Sequence, residues 1–499
     1  MHTPPLSWQR QIRSVLTLAL VFFLAASCKK EIKGDPQEPQ PPSENETTNK
    51  WVVENMRDIY YWNTSIPGDG SLDFELGPEA FFETILHRDD RFSWIELAKD
   101  LEDNLSGVST TVGLGIGLIR INQAGDVIIS VRYALAGSPA DKAGIKRGDI
   151  ITEINGQAMT VNNYQNVLNA YYGSSPFTVQ VAHINENDQI VRGAEIELTP
   201  VTGFQEQAIH KDSVIHTPGG KKVGYLFYNR FLNNQPNELL NAFNKFKTAG
   251  VSDLVLDLRY NGGGGIWIAA IMSGLIQANF NKSETFIQYK YNSDYGTEAY
   301  SYYDLFGGDS DDPEEVASAD EVINAIEALN LNLSKVYIIA TNYSASASEL
   351  VINNLRPFLQ DANVVHIGET TVGKNEGSIT IIDERNPPQI EWGIQPIVVK
   401  LANKAGFGDY PDGLEPEYEI DEWDYLPWAP IGSLDDPLLA QAISLIDPSV
   451  APPTTSKTMS AKMRTAQSLQ AIPVEGFEDR LNRSFPVDIG DRFKKPLNR

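Results

Sequence analysis

The spacing of apolar residues changes twice along the chain and divides it into three folded parts. From residue 50 to 107, apolar and aromatic side chains recur at helical spacing, which predicts a small N-terminal helical domain. Residues 108–200 consist of short β-rich runs separated by glycine turns, with one short helix at 161–170. We therefore expect a β domain to follow the helical one.

Residues 205–447 show a different pattern, in which runs that are apolar throughout alternate with helical stretches at 238–249, 266–277 and 347–358. Strands of this kind are buried on both faces, so the pattern predicts a sheet covered by helices. The fold class that follows is multidomain α+β, with an α/β layer architecture in the largest part. Residues 448–499 are polar and rich in Pro, Thr and Ser, which indicates a loosely packed C-terminal tail.

The N-terminus has the features of an export signal. Arg10 and Arg13 precede an apolar run at residues 15–26, which is shorter than the roughly 20 residues of a membrane-spanning helix. Small residues then lead directly into Cys28, the single cysteine of the chain. This arrangement resembles a bacterial lipoprotein signal, so residues 1–27 are interpreted as a signal peptide and Cys28 as the lipidated residue. The alternative is an ordinary cleavage site followed by a free or buried thiol.

Residues 28–49 are polar and rich in Pro and Glu, and we interpret them as a tether between a membrane anchor and the folded part. The expected location is the cell envelope, on the periplasmic side of the outer membrane or exposed at its surface, with the bilayer as a partner. Lipidation of Cys28 leaves no thiol for a disulfide or for cysteine catalysis. The formal net charge of −26 argues against a nucleic-acid partner, because phosphate binding requires clustered Lys and Arg.

A candidate nucleophile follows the apolar strand that ends at Asn342. The sequence SASASE at 344–349 leads into a helix, so that Ser346 lies at or just before the helix N-terminus. Unpaired backbone N–H groups and the helix dipole favour a developing negative charge at this position. The alternative is an ordinary helix cap, since serine is a preferred N-cap residue.

A candidate base follows the next apolar strand, where a turn carries Lys374. Neighbouring strands of one sheet present their C-terminal ends on the same side, so Ser346 and Lys374 are expected to converge. A serine hydroxyl needs a base, and a lysine can act as one when burial lowers its pKa. The alternatives are that Lys374 is a solvated turn residue, or that His366 is the base, although a histidine inside an apolar strand is more typical of a core.

A glycine-rich turn supplies a third candidate element. An apolar strand runs through 253–260 into four glycines at 262–265, and a helix follows from Ile266. Glycine N–H groups at a helix start can approach a ligand closely and stabilise a tetrahedral oxyanion. A phosphate-binding loop is the competing interpretation, but the Gly-Lys-Ser/Thr ending of such loops is missing. We interpret Asp257 and Arg259 as a structural ion pair or as residues that brace the turn.

These three segments together resemble the carboxyl-terminal processing, or tail-specific, serine peptidases, whose relatives include the tricorn core. The family motifs occur as DLRYNGGG at 257–264, SASASE at 344–349 and TVGK at 371–374. The resemblance implies a core of the ClpP and crotonase type. It also implies site roles: Ser346 as nucleophile, Lys374 as general base, the N–H groups of Gly263 and Ala347 as oxyanion hole, and Glu349 as a supporting acid. Some relatives have a glutamine where this chain has Ser378, which leaves the third catalytic residue open.

Residues 108–200 resemble a PDZ domain of the bacterial protease type. The sequence GLGIG at 113–117 matches the carboxylate-binding loop, and SPADKAGI at 138–145 with RGDII at 147–151 matches the most recognisable stretch. In such a domain a peptide adds to an exposed strand edge while N–H groups of the loop hold its carboxylate. The implied peptide contacts are Gly113, Leu114, Gly115, Ile116 and Gly117. The alternative is a generic small β domain.

The resemblance therefore implies a serine endopeptidase that recognises polypeptides by their C-terminus and cleaves them through an acyl-enzyme. The main alternative is a PDZ-bearing relative that has lost turnover and acts as a scaffold or chaperone of the envelope. A crotonase-like acyl-CoA enzyme shares the oxyanion arrangement, but the PDZ segment and the acidic surface disfavour it. No cofactor is implied, and the sequence contains neither an HExxH motif nor paired cysteines for a metal.

Overall fold

The computed structural model describes residues 42–185, 189–453 and 470–471. The predicted signal peptide, Cys28 and the predicted tether up to residue 41 lie outside this part of the chain. Among the described residues, none of the helices combines the length and the apolar character that crossing a bilayer requires. The described part mixes helices and sheets in several layers, which confirms the predicted multidomain α+β class.

The N-terminal region consists of helices α1 (Glu44–Ile59), α2 (Pro78–Ile85) and α3 (Ala98–Ser106), with strand β1 (Trp94–Leu97) between the last two. The predicted end of the tether at residue 49 is wrong, because α1 begins at Glu44 and the Ser43 side chain accepts a hydrogen bond from the N–H of Glu46. The apolar side chains of α1 and α2 lie in the same hydrophobic core as those of the large α/β part. The helical region therefore has no core of its own among the described residues.

A β domain with a separate core follows. Its strands are β2 (Val108–Thr111), β3 (Leu114–Arg120), β4 (Asp126–Ala134), β5 (Ile150–Ile154), β6 (Gln157–Thr160), β7 (Phe177–Ile184), β8 (Ile190–Leu198) and β9 (Val201–Gln205). Its helices are α4 (Pro139–Lys142) and α5 (Tyr164–Tyr172). The main sheet has the strand order β3-β4-β6-β5-β7-β8, and apolar side chains of these strands pack against α5. The prediction of a β domain is confirmed; the helix predicted at 161–170 corresponds to α5, while α4 was not predicted.

The largest part is built on a six-stranded sheet with the order β10-β11-β12-β15-β16-β20. The strands are β10 (Ile209–His216), β11 (Lys222–Tyr228), β12 (Asp253–Asp257), β15 (Val336–Ala340), β16 (Val364–Gly368) and β20 (Tyr418–Glu419). All neighbours from β11 to β20 pair in parallel, and β10 is antiparallel to β11. Because β12, β15 and β16 are adjacent and parallel, the residues that follow their C-terminal ends lie at one edge of the sheet.

Helices cover both faces of this sheet. The helices of this part are α6 (Pro236–Ala249), α7 (Ile266–Ile276), α8 (Tyr302–Leu305), α9 (Pro313–Leu329), α10 (Ala347–Leu359) and α11 (Pro437–Ile446), of which α9 packs against α6 and α7. Alternate residues of a strand point to opposite faces. Thus Leu254 and Leu256 pack with α6, α7 and α10, whereas Val255 packs with α11. The three helices predicted for this part lie within two residues of their expected bounds, while α9 was not predicted.

A second, four-stranded sheet was also not predicted. Its order is β14-β13-β19-β17, from β13 (Thr285–Tyr291), β14 (Thr297–Ser301), β17 (Glu376–Ser378) and β19 (Ile397–Asn403). Strand β18 (Trp392–Gln395) pairs antiparallel with β1, so the N-terminal region is joined to this part by backbone hydrogen bonds. Within the predicted tail, a short strand β21 (Gln470–Ala471) pairs antiparallel with the outer edge of β3.

Candidate active site

Ser346 lies between β15 and α10, at the C-terminal edge of the parallel strands, as the sequence predicts. Its φ of 60° and ψ of −115° form a backbone conformation that is unfavourable for serine. The side chain is buried, and its Oγ makes no hydrogen bond with the described residues. Backbone strain at a buried hydroxyl is typical of a functional position, and Ser346 also caps α10, since its N–H donates to the Glu349 side chain as in a capping box.

The glycine turn lies directly against this serine. A Cβ placed on Gly263 would lie 2.6 Å from the Cβ and 2.9 Å from the Oγ of Ser346, and Gly263 has a φ of +113° that favours glycine. Hydrogen bonds from the N–H of Ala345 and the Oγ of Ser348 to the carbonyl oxygen of Asn261 join the two turns. The structure therefore brings together Ser346, Gly263 and Ala347, the first residue of α10.

The N–H of Gly263 is not available as an oxyanion donor in this conformation. It donates to the side-chain oxygen of Asn261 at 2.8 Å, while the Asn261 amide nitrogen donates to the carbonyl oxygen of Tyr228. The sequence did not predict this role of Asn261, because a short side-chain bond back to the main chain leaves no periodic pattern. The Gly263 N–H thus has an acceptor within the chain in this conformation, and the oxyanion hole at Gly263 and Ala347 stays a prediction.

Lys374 is buried rather than solvated, with a side chain that is 1% exposed. Its Nζ lies 4.9 Å from the centre of the Phe92 ring. Burial lowers the pKa of Lys374 from its ordinary value to about 8, although the carboxylates of Glu376, Asp90 and Glu349 act in the opposite direction. The alternative of a solvated turn lysine is wrong, and the uncharged amine that a general base requires is accessible near neutral pH.

Glu349 connects the two candidate catalytic residues through their backbones. Its Oε2 accepts from the N–H of Ser346 at 2.7 Å and from the N–H of Lys374 at 2.8 Å. Its Oε1 accepts from the N–H of Gly373 and from the hydroxyl of Thr371, both at 2.6 Å. Burial raises the pKa of the Glu349 carboxyl, against the effect of these four hydrogen bonds. Glu349 thus contacts the main chain of the site. Thr371 belongs to the TVGK motif, but the sequence did not predict its hydrogen bond to Glu349.

His366 lies inside β16, paired with Ile338 of β15, and not at the strand end where Ser346 lies. Its ring is buried, its Nε2 is 3.2 Å from the carbonyl oxygen of Ala340, and burial lowers its pKa to about 4. The prediction of a core histidine is confirmed. Ser378, which stands where some relatives have a glutamine, accepts a hydrogen bond at 3.1 Å from the buried side chain of Gln395.

Asp257 and Arg259 form a buried ion pair, as predicted. The Arg259 guanidinium donates to both oxygens of Asp257 and also to both oxygens of Asp436, which precedes α11. The same network reaches the β domain, where Arg147 donates to Tyr260 at 2.7 Å and to Glu422 at 3.0 Å. These charges hold the strand end before the glycine turn, and each buried charge has an opposite partner.

The 113–117 segment begins β3 and packs closely against its surroundings. A Cβ on Gly115 would lie 2.5 Å from the Tyr133 ring, and one on Gly117 would lie 2.7 Å from the Trp423 ring. Leu114 and Ile116 point into the β-domain core. The N–H of Gly113 donates to the hydroxyl of Thr111 at 2.9 Å. The glycines therefore allow close packing, and the implied contact with a peptide carboxylate stays a prediction.

No group of acidic, histidine or cysteine side chains among the described residues has the arrangement of a metal site.

The sequence also did not connect Asp90, Arg91 and Phe92 with the site. These residues belong to the N-terminal region but surround Lys374. Nothing in the local sequence identifies them, because their contact with Lys374 spans more than half of the chain.

Three family models match the chain. They are peptidase family S41 at residues 222–383, the peptidase S41 N-terminal domain at residues 47–94 and a PDZ domain at residues 130–175. The second match corresponds to the N-terminal helical region. The third lies within the β domain, where it supports the PDZ interpretation over a generic β domain.

Curated relatives and a solved structure agree with these matches. The "Probable CtpA-like serine protease" of Staphylococcus aureus strain COL is 28% identical over 279 residues, which are 56% of this chain and 47% of the relative. The protein of the same name from Staphylococcus epidermidis is 27% identical over 333 residues, which are 65% of this chain and 56% of the relative. The chain thus spans about half the length of the curated relatives it matches.

The solved structure is that of a protein from Bacteroides fragilis NCTC 9343 assigned as an S41 protease. It is 25% identical in sequence, has a TM-score of 0.65, and the match covers 84% of this chain and 100% of that chain. The match therefore spans most of the chain. The chain thus matches peptidase family S41 in its α/β core and the N-terminal domain of that family in its helical region, and it carries a PDZ domain between them.

Proposed function

We propose that this protein is a serine endopeptidase with Ser346 as its nucleophile and Lys374 as its general base. The observation that carries the proposal is the shared carboxylate of Glu349, which accepts from the N–H groups of both residues. A buried amine with a pKa of about 8 meets the chemical requirement of a base that must be uncharged near neutral pH.

In the proposed reaction, the Ser346 Oγ attacks the carbonyl carbon of a peptide bond while the Lys374 Nζ takes the hydroxyl proton. The tetrahedral intermediate collapses, and the Lys374 ammonium gives that proton to the leaving amine. An acyl-enzyme remains on Ser346. Water then attacks the ester as Lys374, again uncharged, takes a proton from it, and the second collapse returns that proton to Ser346 and releases the new C-terminus.

The oxyanion of each tetrahedral intermediate is proposed to bind the N–H groups of Gly263 and Ala347. Ala347 opens α10, where the first-turn amides lack partners within the helix and the helix dipole favours negative charge. Gly263 donates to Asn261 in the structure, so the proposal requires the substrate oxyanion to replace the Asn261 oxygen as acceptor. A charged acceptor forms the stronger hydrogen bond, which favours this exchange during the reaction.

The substrate is proposed to be a polypeptide whose C-terminus is recognised by the PDZ domain. Strand β3 includes residues 114–117, and its outer edge is where an added strand pairs. The Ile119 and Arg120 end of this edge pairs with β21, so a peptide would compete with β21 there or bind nearer to Leu114. We further propose, from the leader and Cys28, that the protein is a lipoprotein of the cell envelope.

The test uses the chain from residue 28 onward with Cys28→Ser, which removes the signal peptide and the lipid but keeps α1 complete. We expect it to cleave an unfolded polypeptide with an apolar C-terminus, such as β-casein, with fragments identified by mass spectrometry. Ser346→Ala and Lys374→Ala should each lower the rate by at least about a thousandfold, as expected for the loss of a nucleophile or its base. His366→Gln should retain activity.

Two results would overturn the assignment. If Lys374→Ala remains active while His366→Gln is inactive, the base is His366. If the wild-type chain binds peptides through the PDZ domain but cleaves none of them, the protein is an envelope scaffold, which is the alternative that the sequence left open.

A further inference from the structure

A turn from the N-terminal region covers the amine of Lys374. Residues 90–93, which we name the 90–93 turn, lie between α2 and β1 and therefore far from Lys374 in sequence. The ring of Phe92 is 4% exposed, and its centre lies 4.9 Å from the Lys374 Nζ. The amine is thus enclosed partly by a side chain from outside the α/β core.

The 90–93 turn is held in place by hydrogen bonds at both of its ends. One oxygen of Asp90 accepts from the N–H groups of Phe92 and Ser93, each at 2.9 Å, and the other accepts from the hydroxyl of Tyr60 at 2.7 Å. The Ser93 hydroxyl accepts from the N–H of Ile397 in β19 at 2.8 Å. The turn is therefore fixed both to helix α1 and to the second sheet.

Arg91 joins the 90–93 turn to the segment that carries Lys374. Its guanidinium donates at 3.1 Å to the carbonyl oxygen of Val372 and at 3.0 Å to that of Pro411. The guanidinium carbon also lies 4.7 Å from the centre of the Phe92 ring. Val372 is two residues before Lys374, so Arg91 restrains the backbone from which the lysine side chain projects.

The charged groups that face the Lys374 amine come from three elements. Asp90 and Arg91 belong to the 90–93 turn, Glu349 lies on α10 and Glu376 lies on β17. The three carboxylates favour the ammonium form, whereas Arg91 and the removal of water favour the neutral amine. The removal of water outweighs the carboxylates, since the pKa of Lys374 is lowered to about 8. Phe92 is one of the side chains that remove this water.

We propose that the 90–93 turn is a positioning element for the base of the proposed peptidase. Phe92 excludes water from the Lys374 amine, and Arg91 holds the 372–374 backbone while it adds a positive charge near that amine. This inference rests on the proposed role of Lys374, but it assigns to the N-terminal region a part in the chemistry that the S41 core would otherwise carry alone.

The test compares Arg91→Gln with Arg88→Gln in the chain described above. Each change removes one exposed positive charge, and the two positions are three residues apart. The Arg88 side chain is 88% exposed, and its Nε lies 3.5 Å from an oxygen of Asp89. Loss of the Arg91 charge raises the pKa of Lys374, so the rise of kcat/KM with pH should move upward by roughly half a unit. Activity at pH 7 should then fall about threefold and recover above pH 9. Arg88→Gln should leave the profile unchanged.

Phe92→Ala is the second variant. Water that enters beside the amine raises the pKa of Lys374, and a rise of roughly one unit lowers activity at pH 7 about tenfold. If neither Arg91→Gln nor Phe92→Ala moves the pH profile, or if either moves it downward, the proposal is wrong. Arg91 is exposed, so its variant is expected to fold even if Phe92→Ala does not.

A measurement without proteolysis separates this inference from the proposed function. In Ser346→Ala protein, acetic anhydride labels the neutral form of Lys374, and peptide mass spectrometry gives the midpoint of labelling against pH. We expect this midpoint to rise in the Arg91→Gln and Phe92→Ala versions of that protein. An inactive wild type with shifted midpoints would refute only the peptidase function, and an active wild type with unshifted midpoints would refute only the role of the 90–93 turn.

Discussion

The backbone N–H groups of Ser346 and Lys374 donate to the same carboxylate oxygen, Oε2 of Glu349. Ser346 precedes a helix and Lys374 follows a strand, so a single side chain fixes two elements of the sheet edge relative to one another. Glu349 lies in the first turn of α10, where the helix dipole stabilises a negative charge. The relative position of the proposed nucleophile and base therefore depends on one buried carboxylate.

Glu349→Gln is expected to lower both stability and activity. The amide keeps one acceptor oxygen but presents an NH₂ group to two of the four donors, which leaves buried donors unpaired. This costs about 1–3 kcal/mol in the free energy of unfolding, and the displaced backbones should lower kcat at least about tenfold. Urea unfolding and steady-state kinetics measure the two effects. Glu384→Gln, on an exposed side chain, is the control that should change neither.

The activity is expected to rise with pH as Lys374 loses its proton. The base must be neutral, and its pKa is about 8, so kcat/KM should reach half of its plateau near pH 8 and level off above pH 9. At pH 7 about a tenth of the plateau should remain. Initial rates between pH 6 and pH 10 test this prediction. A rate that is flat between pH 6 and pH 10 would contradict it. Such a profile is expected if His366 is the base, because a pKa of about 4 leaves His366 neutral over the whole range.

Gly263→Ala is expected to lower activity about a hundredfold. The new Cβ would lie 2.6 Å from the Cβ of Ser346 and 3.0 Å from the carbonyl oxygen of Ala345, in a backbone conformation that side chains rarely adopt. The serine and the glycine turn must then move apart, and a displacement of about 1 Å can lower the rate about a hundredfold.

Gly296→Ala is the matched control for this prediction. Gly296 also has a positive φ, of +79°, but a Cβ there would meet nothing within 4 Å. It should therefore show the conformational cost alone, with normal kcat. If the two variants are equally active, Gly263 does not need to lie against Ser346.

The strand ends that carry the site could be predicted from the sequence because their signals are local. Continuous apolar runs identified β12, β15 and β16, and small residues after each run marked the turns with Gly263, Ser346 and Lys374. Adjacent parallel strands then bring these turns to one edge. For the same reason the helix after Ser346 and the core position of His366 were correct.

Other features depend on contacts between distant segments or on single side chains. The contact between Phe92 and Lys374 leaves no pattern in the local sequence. The hydrogen bond from the Gly263 N–H to the Asn261 side chain depends on a single side-chain rotamer. The start of α1 was missed for a different reason. Asn49 is polar but fully buried, with its amide donating to the carbonyl oxygens of Phe74 and Leu76, so polar composition concealed a packed helix.

Lys374→Met is expected to remove activity and to increase stability at neutral pH. The pKa of Lys374 is about 8 in the folded chain and 10.5 in its ordinary state, so the unfolded chain binds the proton more tightly. The lysine therefore destabilises the fold below pH 8, by roughly 3 kcal/mol from this difference, and the penalty disappears as pH rises through 10.5. Methionine fills a similar volume without a charge.

Urea unfolding of the Lys374→Met variant should show a gain of about 1–3 kcal/mol at pH 7 and a clearly smaller gain at pH 10. A variant that is less stable than wild type at pH 7, or equally changed at both pH values, would show that the buried amine is not held at a cost to the fold. The pKa of Lys374 would then lie near its ordinary value, and the low pKa on which the proposed mechanism depends would be wrong.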